Sequence, residues 1–205
     1  YVERVGNVKC NVDPLTSSRK EIESSIVRCP EEDVSNKMIE LIKEVKSQGD
    51  SIGGIIRGLI KNIPSGLGEP VFDKFHAELG KAMLSINASK GFEIGSGFNN
   101  EDFKGSTHND SIYRDNTNKL KTKTNNSGGV VGGITNGEPV LFRVAFKPVS
   151  TISIPQKTVK TDGSEVTLEA SGRHDPCVLP RAVPIVDAMA AIVTMDFLLR
   201  QKSYL

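Results

Sequence analysis

The sequence predicts an α+β fold in which helices pack on antiparallel β-sheet. Two stretches, residues 34–45 and 72–86, carry apolar side chains at the spacing of an amphipathic helix. Two others, residues 51–60 and 139–147, are rich in β-branched and other apolar residues, as strands are. Strands and helices do not alternate regularly along the chain, which favours helices on an antiparallel sheet over a parallel α/β arrangement.

The N-terminal quarter contains a strand, a connection and a helix. Residues 1–6 are typical of a strand already under way, so we expect N-terminal sequence of the protein to lie outside this chain. Residues 14–28 indicate a connecting segment, because serines and charges dominate them. A helix is expected from Pro30, since the acidic residues after it favour the positive end of the helix dipole, and it should stop at Gly49.

The middle of the chain continues with alternating apolar and turn-rich stretches. Glycines within residues 51–60 predict a bulge or a close backbone approach in that strand. A turn-rich loop at residues 64–70 leads into the helix at 72–86. Gly91 is the candidate for the left-handed residue after this helix, and residues 92–94 form a short strand.

A polar stretch follows at residues 95–128, which are rich in Gly, Asn, Ser, Thr and Lys and bury little apolar surface. A loop of this length inside a domain is usually functional or disordered. We therefore expect a long mobile loop over residues 95–127. Our hypothesis is that this loop closes over a binding site as a lid.

The C-terminal part returns to regular structure. Residues 139–147 predict a well-buried strand, and shorter strands are expected at 151–154 and 165–169, with a turn at 162–163. Residues 180–199 are apolar on nearly every face, which predicts a helix buried in a core or a subunit interface. We expect residues 1–205 to form a single domain.

Composition excludes several classes of protein. Lys and Arg number 26 against 25 for Asp and Glu, a net charge of +1, so neither a nucleic-acid nor a membrane surface is predicted. There is no run of about 18 apolar residues, and we expect no transmembrane helix. Three cysteines fit a reducing compartment rather than a disulfide scaffold. Neither they nor the three widely separated histidines have metal-ligand spacing, so no metal site is expected.

Four segments have compositions that could carry chemistry. Residues 66–70 are glycine-rich but equally suit a plain loop before a helix. Asn87 suits a helix cap, or an amide that gives a planar heterocycle one donor and one acceptor. The glycines of residues 128–133 suit a bend, or backbone N–H groups that approach a ligand. They are not a GxGxxG motif and open onto a strand, so a Rossmann or P-loop site is excluded.

The fourth segment is a pair of polar stretches. Residues 147–151 combine a lysine with two hydroxyls, which can hold a phosphate or an anionic flavin edge. Residues 173–175 put Arg, His and Asp side by side, an arrangement that is often only a surface hydrogen-bond cluster. His174 in particular could be structural, because alternate side chains of an extended segment point to opposite faces.

Together these segments resemble the chorismate synthase family. The matching strings occur in the family's order: SGLGEPVFD (65–73), MLSINA (83–88), GGVVGGITNG (128–137), KPVSTI (147–152), GRHDPC (172–177) and RAVPI (181–185). Any one of them would be a weak match, whereas the set is specific. The resemblance covers about residues 50–200.

The resemblance implies a β-α-β sandwich of antiparallel sheets and helices that assembles into a cytoplasmic homotetramer. It implies the 1,4-anti-elimination of phosphate from 5-enolpyruvylshikimate-3-phosphate with reduced FMN (FMNH2), a step of the shikimate pathway. Asp175 matches the carboxylate proposed to help deprotonate flavin N5. The positions that match the family's flavin contacts are Asn87, Ala88, Gly132, Lys147, Pro148, Val149, Ser150, Thr151 and Arg173. Whether NADPH reduces the flavin stays open.

Two departures from the family pattern limit what this chain can do. Asp187 stands where the family usually has Glu. The family's N-terminal part, with a catalytic histidine pair and most of the arginines that hold the substrate phosphate, is absent, so we expect the isolated chain to be inactive. Two alternatives remain at this stage: a non-catalytic FMN- or phosphate-binding module, and an oligomerisation module built on the apolar C-terminal helix.

Overall fold

The fold was obtained as a computed structural model that describes residues 1–170, 172 and 174–204, except for the side chains of residues 100 and 101. The α-helices are α1 (Arg19–Ser24), α2 (Glu32–Ser47), α3 (Phe75–Leu84), α4 (Gly105–His108) and α5 (Leu179–Ser203), with a 3-10 helix at Gly97–Asp102. The strands are β1 (Val2–Val5), β2 (Val8–Lys9), β3 (Gly54–Ile60), β4 (Ser89–Ile94), β5 (Ile112–Arg114), β6 (Leu120–Thr122), β7 (Val130–Val131), β8 (Ile134–Thr135), β9 (Val140–Phe146), β10 (Gln156–Val159) and β11 (Glu165–Leu168).

The main sheet has the strand order β2-β1-β3-β9-β4. Strand β1 pairs antiparallel with β2 and with β3, and its register with β3 shifts between Val2 and Arg4. Antiparallel hairpins form between β5 and β6, β7 and β8, and β10 and β11. Helices beside antiparallel sheet confirm the α+β class that the sequence predicted.

The glycines at the start of β3 allow a very close backbone approach. An added Cβ on Gly54 would lie 1.9 Å from the carbonyl oxygen of Arg4 in β1. The same atom on Gly53 would lie 2.4 Å from the carbonyl oxygen of Phe146 at the end of β9. Only glycine lacks the atom that would clash, so the close approach predicted for this strand is confirmed.

The chain divides into two compact units. The first comprises Tyr1–Ile56 and Ala145–Val183. Its buried apolar residues lie in β1, in the segments before and after α1, in α2, at the end of β9 and at the start of α5. They include two thiols whose pKa burial raises, Cys10 and Cys29, the latter to about 12, so both stay protonated near neutral pH.

The second unit comprises Arg57–Val144 and Pro184–Leu205. Its core joins α3 to α5: the rings of Phe75 and Phe197 pack with centroids 5.4 Å apart. Arg200 of α5 forms an ion pair with Asp73, N to O 3.0 Å, just before α3. Strand β9 adds Val140, Phe142 and Val144, the buried residues of a regular alternation. The single-domain organisation stays a prediction.

Several sequence predictions were wrong in detail. The connection at 14–28 contains α1, whose start is fixed by a capping box: the Ser18 hydroxyl accepts from the Glu21 N–H at 3.2 Å, and the Glu21 carboxylate accepts from the Ser18 N–H at 2.7 Å. The left-handed residue after α3 is Ala88, φ +67°, whereas Gly91 lies inside β4. Residues 151–154 are not a strand, and β10 begins only at Gln156.

Helix α5 is longer and less buried than expected. One side buries Val186, Ala190 and Phe197, and large apolar side chains on another side are exposed: Ile185, Ile192, Met195 and Leu199. The prediction that this helix is buried in a core therefore holds, within this chain, for one side of α5 only. By length and composition α5 is the one helix of the described residues that is long and apolar enough to cross a membrane. A core helix of a soluble protein meets the same criteria, so the absence of a transmembrane helix stays a prediction.

The close approach at Gly54 leads to a stability prediction. Gly54→Ala should lower the free energy of unfolding by about 3 kcal/mol, because the added methyl has to push β1 away from β3. Gly105→Ala is the matched control, since its Cβ would meet nothing within 4 Å. Chemical denaturation of both variants measures the difference. Equal stability of the two would contradict the packing described here.

Candidate functional site

The segment after β9 carries five of the predicted site residues. Strand β9 buries every second side chain up to Phe146, and the chain then emerges at Lys147. The Lys147 ammonium donates a hydrogen bond to the Ser150 hydroxyl. Pro148 is exposed and Val149 half-buried. The structure therefore brings the Lys147 cation and the Ser150 hydroxyl together in the first unit, as their place in the sequence suggested.

The second predicted segment leads into α5. Arg181, in the first turn of α5, forms an ion pair with the Asp175 carboxylate, N to O 3.3 Å. Burial raises the pKa of the neighbouring Cys177 thiol to about 11, so this thiol stays protonated near neutral pH. Arg173, the predicted flavin-contacting arginine, lies outside the described residues.

A cavity of about 670 Å³ in the first unit joins these two segments. Thr151 and Asp175 both line it, although they are distant in sequence. Lys46 and Arg181, which sequence reasoning missed as site residues, add positive charge to its wall. The volume is that of typical small-molecule sites, roughly 300–1,000 Å³. Arg181 could have been found from its place in the RAVPI string, whereas Lys46, at the end of α2, carries no sequence signal of a site.

His174 also lines this cavity. Its Nε2 atom is buried and has no hydrogen-bond partner within the part of the chain that the structure describes. A buried polar atom without a partner costs free energy unless a ligand or water satisfies it. The imidazole that the sequence left as possibly structural therefore has an unused hydrogen-bonding atom at the cavity.

Asn87 and Ala88 lie in the second unit, in the turn between α3 and β4. Asn87 is exposed, and Ala88 adopts a left-handed backbone conformation at φ +67°. This conformation costs a residue with a Cβ about 1–2 kcal/mol relative to glycine. Such outliers cluster at ligand-binding sites, which makes this turn a candidate on structural grounds as well.

Gly132 also lies in the second unit, in the turn between β7 and β8. Its φ is +62°, and an added Cβ would meet nothing within 4 Å. It lines a second cavity of about 650 Å³, together with Val131, Asn136 and Glu138. The space beside the Gly132 backbone is therefore open, whereas an added Cβ on Gly128, Gly129 or Gly133 would lie within 2.6 Å of other protein atoms. Contact of these glycines with a ligand stays a prediction.

The polar stretch expected to be a long mobile loop contains α4 and the β5–β6 hairpin. Asp110 holds it together by accepting hydrogen bonds from Thr124 Oγ1 at 2.6 Å, the Asn126 N–H at 2.8 Å and the Ser127 N–H at 2.9 Å. Burial alone would raise the pKa of Asp110, but these hydrogen bonds outweigh it and leave the pKa below its ordinary value. Mobility of residues 95–127 stays a prediction.

Comparison with known proteins gives a consistent result. The family model described as chorismate synthase matches residues 1–199. The chorismate synthase of Cytophaga hutchinsonii is 56% identical over 203 residues, which cover 99% of this chain and 56% of that protein. That of a Synechocystis strain is 56% identical over 200 residues, 98% of this chain and 55% of that protein. A crystal structure of chorismate synthase superposes with a TM-score of 0.78 at 29% identity, covering 98% of this chain and 56% of that one.

The chain thus spans just over half the length of the curated relatives it matches. At more than 50% identity over nearly its whole length, it shares their sequence pattern far beyond the short strings.

Asp110 allows a test of what orders the polar stretch. Asp110→Ala should speed amide hydrogen exchange of residues 124–127 by about tenfold or more, because each hydrogen bond to a carboxylate contributes about 1.5–3 kcal/mol. Asp115→Ala is the control, since Asp115 accepts from Thr117 and Lys119 only within the β5–β6 turn.

The same interaction has a defined pH dependence. A carboxyl group with a lowered folded-state pKa stabilises the fold fully above its ordinary pKa of 3.8, and this contribution is lost as the pH falls through the folded-state value. Exchange at residues 124–127 of the wild-type chain should therefore rise selectively below about pH 4. Equal protection in the wild type and Asp110→Ala would refute the anchoring role.

Proposed function

The chain belongs to the chorismate synthase family, and we propose on this basis that the whole protein is a phosphate lyase, a chorismate synthase of aromatic amino acid biosynthesis. Its reaction would be the 1,4-anti-elimination of phosphate from 5-enolpyruvylshikimate-3-phosphate to give chorismate. The observation that carries the proposal is the match of the family model over residues 1–199. Relatives named chorismate synthase that are 56% identical to this chain agree with it.

Groups in the first unit fit a bound reduced FMN. The cavity of about 670 Å³ is large enough for a flavin ring, and Thr151 and Asp175 line it. Lys147, paired with the Ser150 hydroxyl, would hold an anionic edge of the cofactor, with Pro148 and Val149 as backbone contacts. Arg173 is proposed as a further cation on the strength of the family motif.

The second unit offers its own proposed FMN contacts. Asn87 presents an exposed amide that can both donate to and accept from a heterocycle. Ala88 and Gly132 have backbone conformations that fit a ligand-binding turn, and no atom of the described residues lies within 4 Å of an added Cβ on Gly132. These three residues suit contact with a planar ring.

The chemistry divides between the cofactor and the chain. Reduced FMN, when bound, would supply an electron only transiently: loss of phosphate would be assisted by it, and its return as the otherwise unactivated C–H bond breaks and the N5 region takes up the hydrogen would leave no net redox change. Asp175 is proposed to accept the proton carried at flavin N5. Arg181 would orient this carboxylate through the 3.3 Å ion pair. Lys46, which lines the cavity, would compensate negative charge that develops there.

Assembly and compartment belong to the same proposal. The exposed apolar side of α5 supports a homotetramer, because large apolar patches on a surface are usually covered by another subunit or segment. Three unpaired cysteines support a cytoplasmic location, where thiols stay reduced. Substrate and cofactor are small molecules, and we propose neither nucleic acid nor membrane as a partner.

The decisive experiment is anaerobic conversion. The full-length protein with reduced FMN should convert 5-enolpyruvylshikimate-3-phosphate into chorismate and phosphate, followed by chorismate absorbance and phosphate release. Oxidised FMN without a reductant is the control and should give no product. Flavin binding without product formation under reducing conditions would instead favour a non-catalytic binding module.

Asp175 can be tested in the same assay. Asp175→Asn should bind FMN with an affinity close to that of the wild type, because the side-chain shape is nearly unchanged. Its turnover should fall by about 10²-fold or more, since an amide cannot accept the proton. Titration of bound flavin and steady-state kinetics measure the two effects, and wild-type turnover would contradict the proposed role.

The lid hypothesis concerns residues 95–127. If they close over the site, their amide exchange should slow when FMN and substrate are added together. The β10–β11 hairpin serves as an internal reference in the same experiment. Unchanged exchange across residues 95–127 would rule out a lid.

A further inference from the structure

The loop between α2 and β3, residues 48–53, is tied to both segments of the first-unit cavity. The Ser51 hydroxyl donates a hydrogen bond to the carbonyl oxygen of Val149 at 2.6 Å. The Ser153 N–H donates to the carbonyl oxygen of Gly49 at 2.8 Å. These two bonds hold the segment that follows β9 from both sides of Thr151.

The same loop holds the Asp175 segment. The Ile52 N–H donates to the carbonyl oxygen of Pro176 at 2.8 Å. Ser51 and Ile52 are adjacent, so one short stretch of backbone fixes both walls of the cavity. A shift of this stretch would change the spacing between Thr151 and Asp175.

The approach of the loop to the β9 segment leaves no room for adjustment. An added Cβ on Gly53 would lie 2.4 Å from the Phe146 carbonyl oxygen and 2.9 Å from the Pro148 nitrogen. The backbone of the loop therefore lies directly against the start of the Lys147–Ser150 turn. The next contact between the loop and this turn is at Val149, whose carbonyl oxygen accepts the hydrogen bond from the Ser51 hydroxyl.

We propose that Ser51 is a positioning residue for the reaction, which sets the spacing between Thr151 and Asp175 without touching cofactor or substrate. The inference rests on the proposed function. Ser51 is not part of the cavity wall, whereas its neighbours Gly49 and Asp50 are. Its effect is transmitted through the backbone at Val149 and Pro176. Errors of about 1 Å in the placement of reacting groups can cost roughly 10²-fold in rate, so a single hydrogen bond at this point has a kinetic consequence.

The test uses Ser51→Ala in the full-length protein. We expect kcat to fall about tenfold while KM for 5-enolpyruvylshikimate-3-phosphate stays within about twofold, because only the geometry of the chemical step changes. Ser51→Thr keeps the hydroxyl and should restore most of kcat. Ser47→Ala is the matched control: its hydroxyl also donates to a backbone carbonyl, that of Glu44 at 2.7 Å, but this bond lies inside α2 and Ser47 does not line the cavity.

Thermal unfolding separates positioning from a purely structural role. Ser51→Ala and Ser47→Ala should have similar unfolding midpoints, and only Ser51→Ala should lose turnover. Equal kcat in the two variants would overturn the inference, and so would a loss that Ser51→Thr does not restore. If Ser51→Ala does not fold, Ser51→Cys, a weaker donor of similar size, decides: wild-type kcat contradicts the proposal and an intermediate kcat supports it.

The wild-type protein distinguishes this inference from the proposed function. If the wild type converts the substrate and Ser51→Ala turns over at the same rate, only the proposed role of Ser51 is overturned. Failure of the wild type to convert the substrate with reduced FMN overturns the proposed function, and the role of Ser51 with it.

Discussion

The contact of the Gly53–Gly54 backbone with two neighbouring segments is the constraint on which the first unit depends. Gly54 lies against the Arg4 carbonyl, and Gly53 lies against the Phe146 carbonyl, at distances that exclude any side chain. The start of β3 is therefore held on one side by β1 and on the other by the end of β9. Since the chain leaves β9 at Lys147, this contact also determines where the first candidate segment begins.

Much of the fold could be predicted from the sequence because its signals are periodic. The amphipathic spacing of α2 and the buried alternation of β9 need no knowledge of the rest of the chain. Errors arose where local chemistry competes with composition. The stretch containing α1 looks like a linker because the helix buries no side chain, and only the Ser18–Glu21 capping box marks it. The polar stretch around Asp110 is organised by hydrogen bonds to one carboxylate, which composition does not reveal.

The candidate site was predictable in its segments and not in its assembly. Lys147 with Ser150, and Asp175, were identified from residue types and from the family strings. The loop that joins their segments was identified only as a glycine-rich strand start, because hydrogen bonds from Ser51 and Ile52 to distant carbonyls leave no trace in residue spacing. Lys46 was missed for the same reason: a side chain that completes a cavity from another element is ordinary in its own sequence context. Arg181, by contrast, stands in a family string that could have pointed to it.

The left-handed backbone at Ala88 determines which amino acids this position can accommodate. Valine, isoleucine and threonine would cost more there than alanine, since branching at Cβ worsens the clash with the backbone. Glycine would relax the turn, and asparagine would fit it more readily than most residues. A methyl group in this conformation is thus a choice that the local backbone alone does not favour. Only contacts that this methyl makes with a surface outside its own turn could offset that cost.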